Sequence, residues 1–115
     1  MNIQEVKREN FKAEYGILCH RVYPNEEINT PFGSTWCIVE VGKRTDPHNH
    51  EVGETFFILE GQGNVSINEE TSHVKKGAVV YIPPFSKHVL TNTSPSENLV
   101  FLSVWWDSSL PGALE

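Results

Sequence analysis

Cysteine is scarce in this 115-residue chain: Cys19 and Cys37 are its two thiols, and they form no CxxC pair. Two are too few for a disulfide framework, so a packed core must hold the fold. Long apolar runs are missing too. The longest are strand-sized, far below the roughly 20 residues that span a bilayer. Met1 to Asn10 is polar and carries no apolar signal-peptide core. These absences lead us to expect a cytoplasmic protein with reduced thiols and no membrane partner. Positive charge is the third shortage. Nine Lys and Arg stand against fifteen Asp and Glu, a net −6, with no basic stripe. Nucleic acid and anionic membrane surfaces are therefore not expected as partners. Convincing helical periods, internal repeats and low-complexity tracts are absent as well.

What the chain does have is a series of short β-rich runs punctuated by Gly, Pro, Asn and Ser. Strands are predicted at 17–23, 34–41, 48–50, 54–60, 64–68, 72–75, 78–82, 87–92 and 99–106. Even spacing with turn signals between them indicates an all-β sandwich or barrel. Gly61-Gln62-Gly63 and Asn68-Glu69-Glu70 read as hairpin turns, and residues 93–98 as a surface loop. We expect one domain over 1–115, with a core at 15–107, an N-terminal arm at 1–14 and a C-terminal tail at 108–115. The arm is either a single turn or a strand that pairs with another subunit.

Four residues stand out as metal ligands. His48 and His50 are two apart, so on a strand both imidazoles point to one face. Glu54 follows after Val52-Gly53, which can turn the chain and bring the carboxylate back to the same interior. His88 opens a later strand, behind the rigid Pro83-Pro84 pair. Three neutral imidazoles and one carboxylate suit a divalent Zn, Fe, Mn or Ni ion. Four protein donors leave two positions of an octahedron for water, dioxygen or a chelating substrate. One carboxylate on a divalent ion gives a site charge near +1, which favours an anionic or enolisable ligand. His20 and His73 have no spacing partner and are read as ordinary histidines.

The spacing around these residues resembles the two motifs of the cupin superfamily. The first is G-x5-H-x-H-x3,4-E-x6-G. Here Gly42, five residues, His48, Asn49, His50, three residues, Glu54, six residues and Gly61 match it. The second is G-x5-P-x-G-x2-H-x3-N. Here Gly77, five residues, Pro83, two residues further Phe85, then His88, three residues and Asn92 follow it. Phe85 departs from the pattern, which has Gly there. Because a bulky residue at positive φ is strained, this turn is expected to adopt another conformation and to aim Phe85 at the barrel mouth. The resemblance implies a cupin jelly-roll β-barrel, a double-stranded β-helix, with His48, His50, Glu54 and His88 as metal ligands.

Alternation from Glu54 and His88 puts Phe56, Ile58, Leu90 and Asn92 inside the barrel. Trp36, Arg44, Tyr81 and Phe85 complete the set of substrate-pocket candidates, with Arg44 placed to bind a carboxylate. Trp105 and Trp106 must face opposite ways. One can enter the barrel, and the other needs cover, either from a homodimer interface or by burial on a second sheet face. A finer resemblance lies in 54–57, 80–86 and 99–106, which look like the cupins of hydrazine-forming biosynthetic enzymes. Those work with a methionyl-tRNA-synthetase-like partner that makes an aminoacyl ester of an N-hydroxylated amine, which the cupin converts to an N–N bond. The resemblance implies that reaction on a small polar metabolite. An Fe(II)-dependent dioxygenase using the same ligands, or a non-enzymatic metal- or ligand-binding module, are the alternatives, since a fold does not select a chemistry.

Overall fold

Alternation between buried and more open positions shapes several strands of the computed structural model, which describes residues 1–107. A 3-10 turn at Arg8–Asn10 precedes nine strands. They are β1 (Lys12–Glu14), β2 (Ile17–Tyr23), β3 (Phe32–Val39), β4 (Gly53–Glu60), β5 (Gln62–Ile67), β6 (Glu70–Lys75), β7 (Val79–Ile82), β8 (His88–Asn92) and β9 (Leu99–Trp106). Six of them form one sheet in the order β1-β2-β3-β9-β4-β7, and three form a second in the order β6-β5-β8. The pairs within both sheets are antiparallel. The result is the all-β, two-sheet jelly roll that the sequence predicts.

The inward faces meet in one core. Phe56 and Ile58 of β4, Leu90 of β8, and Leu99 and Phe101 of β9 are nearly solvent-free. Each such side chain contributes about 1.5–3 kcal/mol by leaving water. The same alternation sends Phe57, Tyr81, Trp36 and Trp106 to the outer face of the large sheet.

Three local features differ from expectation. Residues 12–14, assigned to the arm, form β1 and pair with β2 of the same chain. The two-residue loop Tyr15-Gly16 makes that hairpin possible, because both residues take positive φ (55° and 79°) as a tight hairpin loop requires. Residues 48–50 do not form a strand. His48 makes only an isolated bridge with His88, since Pro47 has no N–H for a ladder. Gly61-Gln62-Gly63 is not a hairpin turn: β4 and β5 lie in different sheets, and the glycines mark the corner between them. A register shift between Ile58 and Glu60 bends β4 just before the corner. The Asn68 turn, by contrast, closes the β5–β6 hairpin as predicted, with Ile67 opposite Glu70. The tail at 108–115 lies outside the described residues.

The corner generates a test. A Cβ on Gly61 (φ +85°) would sit 2.4 Å from the Asn98 carbonyl oxygen, whereas one on Gly42 (φ +79°) would meet nothing within 4 Å. Both Gly61→Ala and Gly42→Ala incur left-handed backbone strain of about 1–2 kcal/mol. Gly61→Ala adds a clash with backbone that cannot swing away. Urea denaturation should show it to be the less stable variant by at least about 1 kcal/mol. Equal midpoints for the two would show that the corner is not tightly packed.

Candidate metal centre

Each histidine is fixed by the backbone around it. His48 Nδ1 lies 2.7 Å from the Asp46 carbonyl, and His88 Nδ1 lies 2.9 Å from the Ser86 carbonyl. A ring nitrogen facing a carbonyl must carry the proton, which leaves Nε2 of each ring as the free donor. The His88 backbone N–H donates to the His48 carbonyl at 3.0 Å, and the Phe85 N–H donates to the His50 carbonyl at 2.7 Å. These bonds clip the loop carrying His48 and His50 onto the loop leading to His88. The three rings stand 4.4 to 5.2 Å apart, centre to centre. Their donor atoms all lie within 4.8 Å of one another.

Glu54, near the start of β4, completes the cluster. Its Oε1 lies 3.2 Å from His50 Nε2 and 3.3 Å from His88 Nε2. The Ser103 hydroxyl of β9 donates to Oε2 and holds the carboxylate in place. Glu54 is only 7 % exposed and His88 only 1 %, yet Glu54 Oε1 and His88 Nε2 are buried with no hydrogen-bond partner. Such orphaned polar atoms are costly in a folded interior. A cation held between them would satisfy both at once. Burial alone would raise the Glu54 pKa, but the His88 imidazole, the Ser103 hydroxyl and His50 together hold it below the usual carboxylate value. Burial pushes His88 down, and the Glu54 carboxylate and Ser86 carbonyl more than reverse this, so its pKa is raised. Burial dominates at the less paired His50, whose pKa is lowered. The donor set, three imidazoles and a pre-ionised carboxylate, fits a divalent transition ion.

The centre forms part of the wall of a cavity of about 510 Å³. Val52, Phe56, Phe101, Ile17 and Trp105 give it a mostly apolar lining, and Tyr15 stacks on His48 at 5.3 Å. Of the pocket candidates, Phe56 lines this cavity. Ile58 and Leu90 lie deeper, in the solid core below it. The others are elsewhere. Trp36 is on the outer face of β3, where Val6 and Phe11 of the N-terminal segment share its groove. Tyr81 is also outside, stacked on Trp106 at 6.3 Å. Both face outward because their inward neighbours, Cys37 and Ile82, take the core positions. Arg44 is exposed, in a loop bridged to Thr91. Phe85 is 71 % exposed and does not line the cavity. It does adopt positive φ (65°), contrary to expectation. Pro83 to Ser86 form a turn closed by the Ser86 N–H to the Pro83 carbonyl at 3.3 Å, with proline at the second position and the left-handed residue at the third. The exposed ring has nothing to clash with. Asn92 is structural, donating to the Val39 and Glu97 carbonyls and accepting from the Ser94 N–H.

Sequence reasoning missed Ser103, Tyr15 and Arg21. Alternation along β9 places Ser103 on the Phe101 face, so that signal was available. Tyr15 depends on the β1–β2 hairpin, which the sequence did not reveal, whereas Arg21 lies on the predicted strand 17–23, whose inward face had no anchor. His20 and His73 lie outside the histidine cluster.

A two-sheet antiparallel barrel with three convergent imidazoles beside a buried carboxylate defines the class: a β-barrel with a candidate metal site. The chain belongs to the cupin domain family, whose model matches residues 35–105. An uncharacterized protein of Methanocaldococcus jannaschii is 43 % identical over 77 residues, covering 66 % of this chain and 62 % of that protein. The plu4264 protein of Photorhabdus luminescens is similar at 35 % identity and a TM-score of 0.86, covering 93 % of this chain and 89 % of the other. A cupin 2 conserved barrel protein of Salinispora arenicola superposes with a TM-score of 0.86 at 28 % identity, covering 95 % and 91 % of the two chains. Among the described residues, no helix is long and apolar enough to cross a membrane.

The centre predicts its own metal content. Protein purified without chelator should carry close to one transition-metal ion per chain by elemental analysis. His50→Ala should lose most of it while keeping the fold, because His50 is partly exposed at the rim. Because the pKa of His88 is raised by the Glu54 carboxylate and the Ser86 carbonyl, zinc binding should release more protons as pH falls toward that pKa. Calorimetry in buffers of different ionisation enthalpy would measure this. Metal content unchanged by His50→Ala would remove the assignment.

Proposed function

We propose that this chain is a metal-dependent enzyme acting on a small polar metabolite, and that it converts an aminoacyl ester of an N-hydroxylated amine into an N–N bonded hydrazine. The observation that carries the proposal is a mostly apolar cavity with a three-histidine, one-carboxylate cluster on its wall. The choice of reaction rests on the resemblance of residues 54–57, 80–86 and 99–106 to hydrazine-forming cupins. In that reaction the ester's free amine attacks the electrophilic nitrogen. The N–O bond breaks, its electron pair leaves on the carboxylate oxygen, and the amine gives up one proton.

His48, His50, His88 and Glu54 would hold a divalent ion, which supplies Lewis acidity and binds oxygen and nitrogen donors. The chain's own residues do the rest. Ile17, Val52, Phe56 and Phe101 exclude water, which limits hydrolysis of the ester. The cavity holds the ester folded so that amine and nitrogen are neighbours, converting an encounter into an intramolecular step. Ser103 keeps the Glu54 carboxylate aimed inward. The ester would come from a synthetase-like partner protein in the cytoplasm.

The test supplies an N-hydroxylysine-type aminoacyl ester to metal-loaded protein with and without air. Zinc should support turnover, and dioxygen should not be consumed. Turnover that needs Fe(II) and consumes dioxygen would instead establish the dioxygenase reading, which uses the same donors. Binding with no turnover under either condition would favour a binding module. Glu54→Gln should keep the fold but lower activity by at least about tenfold, because a neutral amide replaces the carboxylate that a divalent transition ion prefers. Full activity in that variant would mean that Glu54 is not a ligand.

We further propose that the chain forms a homodimer. Val79 and Tyr81 are exposed on the outer face of the large sheet beside Phe57 and Trp106, an apolar stripe that a second copy would cover. Light scattering at micromolar concentration should give twice the chain mass. A monomer only would refute the pairing.

A further inference from the structure

We infer that Arg21 and Trp105 form a carboxylate-binding subsite at the mouth of the metal cavity, so that the natural ligand carries an anionic group at the end remote from its metal-chelating end. The inference rests on the proposed metal-dependent function and specifies its substrate class.

The placement follows from alternation in β2. Ile17 and Cys19 face the cavity and are buried there, so Arg21 on the same face also points in, at the strand's outer end. Among the described residues, Arg21 is the one Lys or Arg lining this cavity. It is also held in place. Its Cζ lies 5.9 Å from the centre of the Trp105 ring, a cation–π contact. The indole in turn is packed against Gly33, where any Cβ would come within 2.2 Å of the ring. Trp105 stands directly opposite Glu54 across the β4–β9 ladder. The surface that carries the guanidinium therefore begins next to the metal-facing carboxylate.

The strand registers give the separation. Arg21 is opposite Thr35, Thr35 opposite Ser103, and Ser103 opposite Phe56, one row across four strands. Three strand spacings make about 14 Å along the sheet. The row ends at Phe56, two residues along β4 from Glu54, so the guanidinium and the metal-facing carboxylate line the same cavity.

The guanidinium already holds a carboxylate. Glu14 Oε2 lies 3.7 Å from Arg21 Nη2, with the two side chains 38 % and 55 % exposed. So exposed and loose a pair is weak, and a ligand carboxylate entering the mouth can displace Glu14. Bidentate geometry suits the planar fork better than the single contact it now makes. The arrangement moves the carboxylate-binding role expected for Arg44 to Arg21, because Arg44 lies outside the cavity.

Two hydroxamates of equal chain length test the subsite, since both present the same chelating head. Glutaric monohydroxamate ends in a carboxylate, and pentanohydroxamate ends in a methyl group; the four- and six-carbon monohydroxamates vary the reach. Calorimetric titration into zinc-loaded protein should show at least one carboxylate-ended member binding about tenfold or more tightly than its methyl-ended counterpart. Arg21→Gln should abolish that preference and leave the methyl-ended probe unaffected. Arg21→Lys should retain part of it, and Glu14→Gln should enlarge it by removing the competing carboxylate. If both classes of probe bind equally well, or if Arg21→Gln keeps the preference, the subsite is refuted while the metal centre stands. If neither class binds zinc-loaded protein, the metal-dependent reading fails and the subsite with it.

Discussion

A carboxylate sunk beside three imidazoles governs this structure. Glu54 is nearly buried, its Oε1 within 3.3 Å of two ring nitrogens and without a hydrogen bond of its own. An ionised group removed from water is tolerated only when something pairs with it. The chain supplies part of that pairing through Ser103 and His88, and Glu54 Oε1 lies 3.3 Å from the free nitrogen of His88. A cation between them relieves both atoms. Much of the architecture serves to keep the three imidazoles together, with Glu54 beside two of them. The antiparallel β4–β9 ladder sets Glu54 beside Ser103. The bridge from His48 to His88 ties the two ligand-bearing loops together, and the carbonyls of Asp46 and Ser86 fix the ring orientations.

Backbone strain gathers around the same centre. Of the three non-glycine residues at positive φ among the described residues, two are aromatic and lie beside the histidines: Tyr15, stacked on His48, and Phe85, whose N–H binds the His50 carbonyl. Each costs on the order of 1–3 kcal/mol. Hydrogen bonds on both sides hold them there, for the Tyr15 carbonyl accepts the Asp46 N–H at 2.8 Å. The strain thus sits in the two turns that position the ligand loops. A surface loop with no such duty would relax to a more comfortable turn.

The cavity and the outer sheet face divide the aromatic residues between two tasks. Phe56, Phe101 and Trp105 line the chamber that surrounds the centre. Trp36, Tyr81 and Trp106 stand on the opposite surface. That division explains how much of the molecule could be read in advance. A period of two fixes which residues share a face, so the burial of Phe56, Ile58 and Leu90 was legible from Glu54 and His88 alone. The fold was legible from the spacing of turn residues and the two motifs. Where the anchor for a face was missing, alternation could not say which side was inside, and Trp36 and Tyr81 were expected in the pocket for that reason. Gly61 was read as a reversal because a glycine needed for close approach to the Asn98 carbonyl leaves the same trace as one in a hairpin. Tyr15 was hidden because β1 is three residues long and carries no pattern of its own, and Arg21 because nothing in the predicted strand 17–23 marked which of its faces is inside.

The central claim is that one cation binds between Glu54 and the three histidines. Anomalous diffraction at the metal absorption edge, on crystals of protein purified without chelator, tests it most directly. The account predicts a single strong peak per chain, in contact with Nε2 of His48, His50 and His88 and with Oε1 of Glu54. A peak held by other residues, or one from which Glu54 turns away, would contradict it.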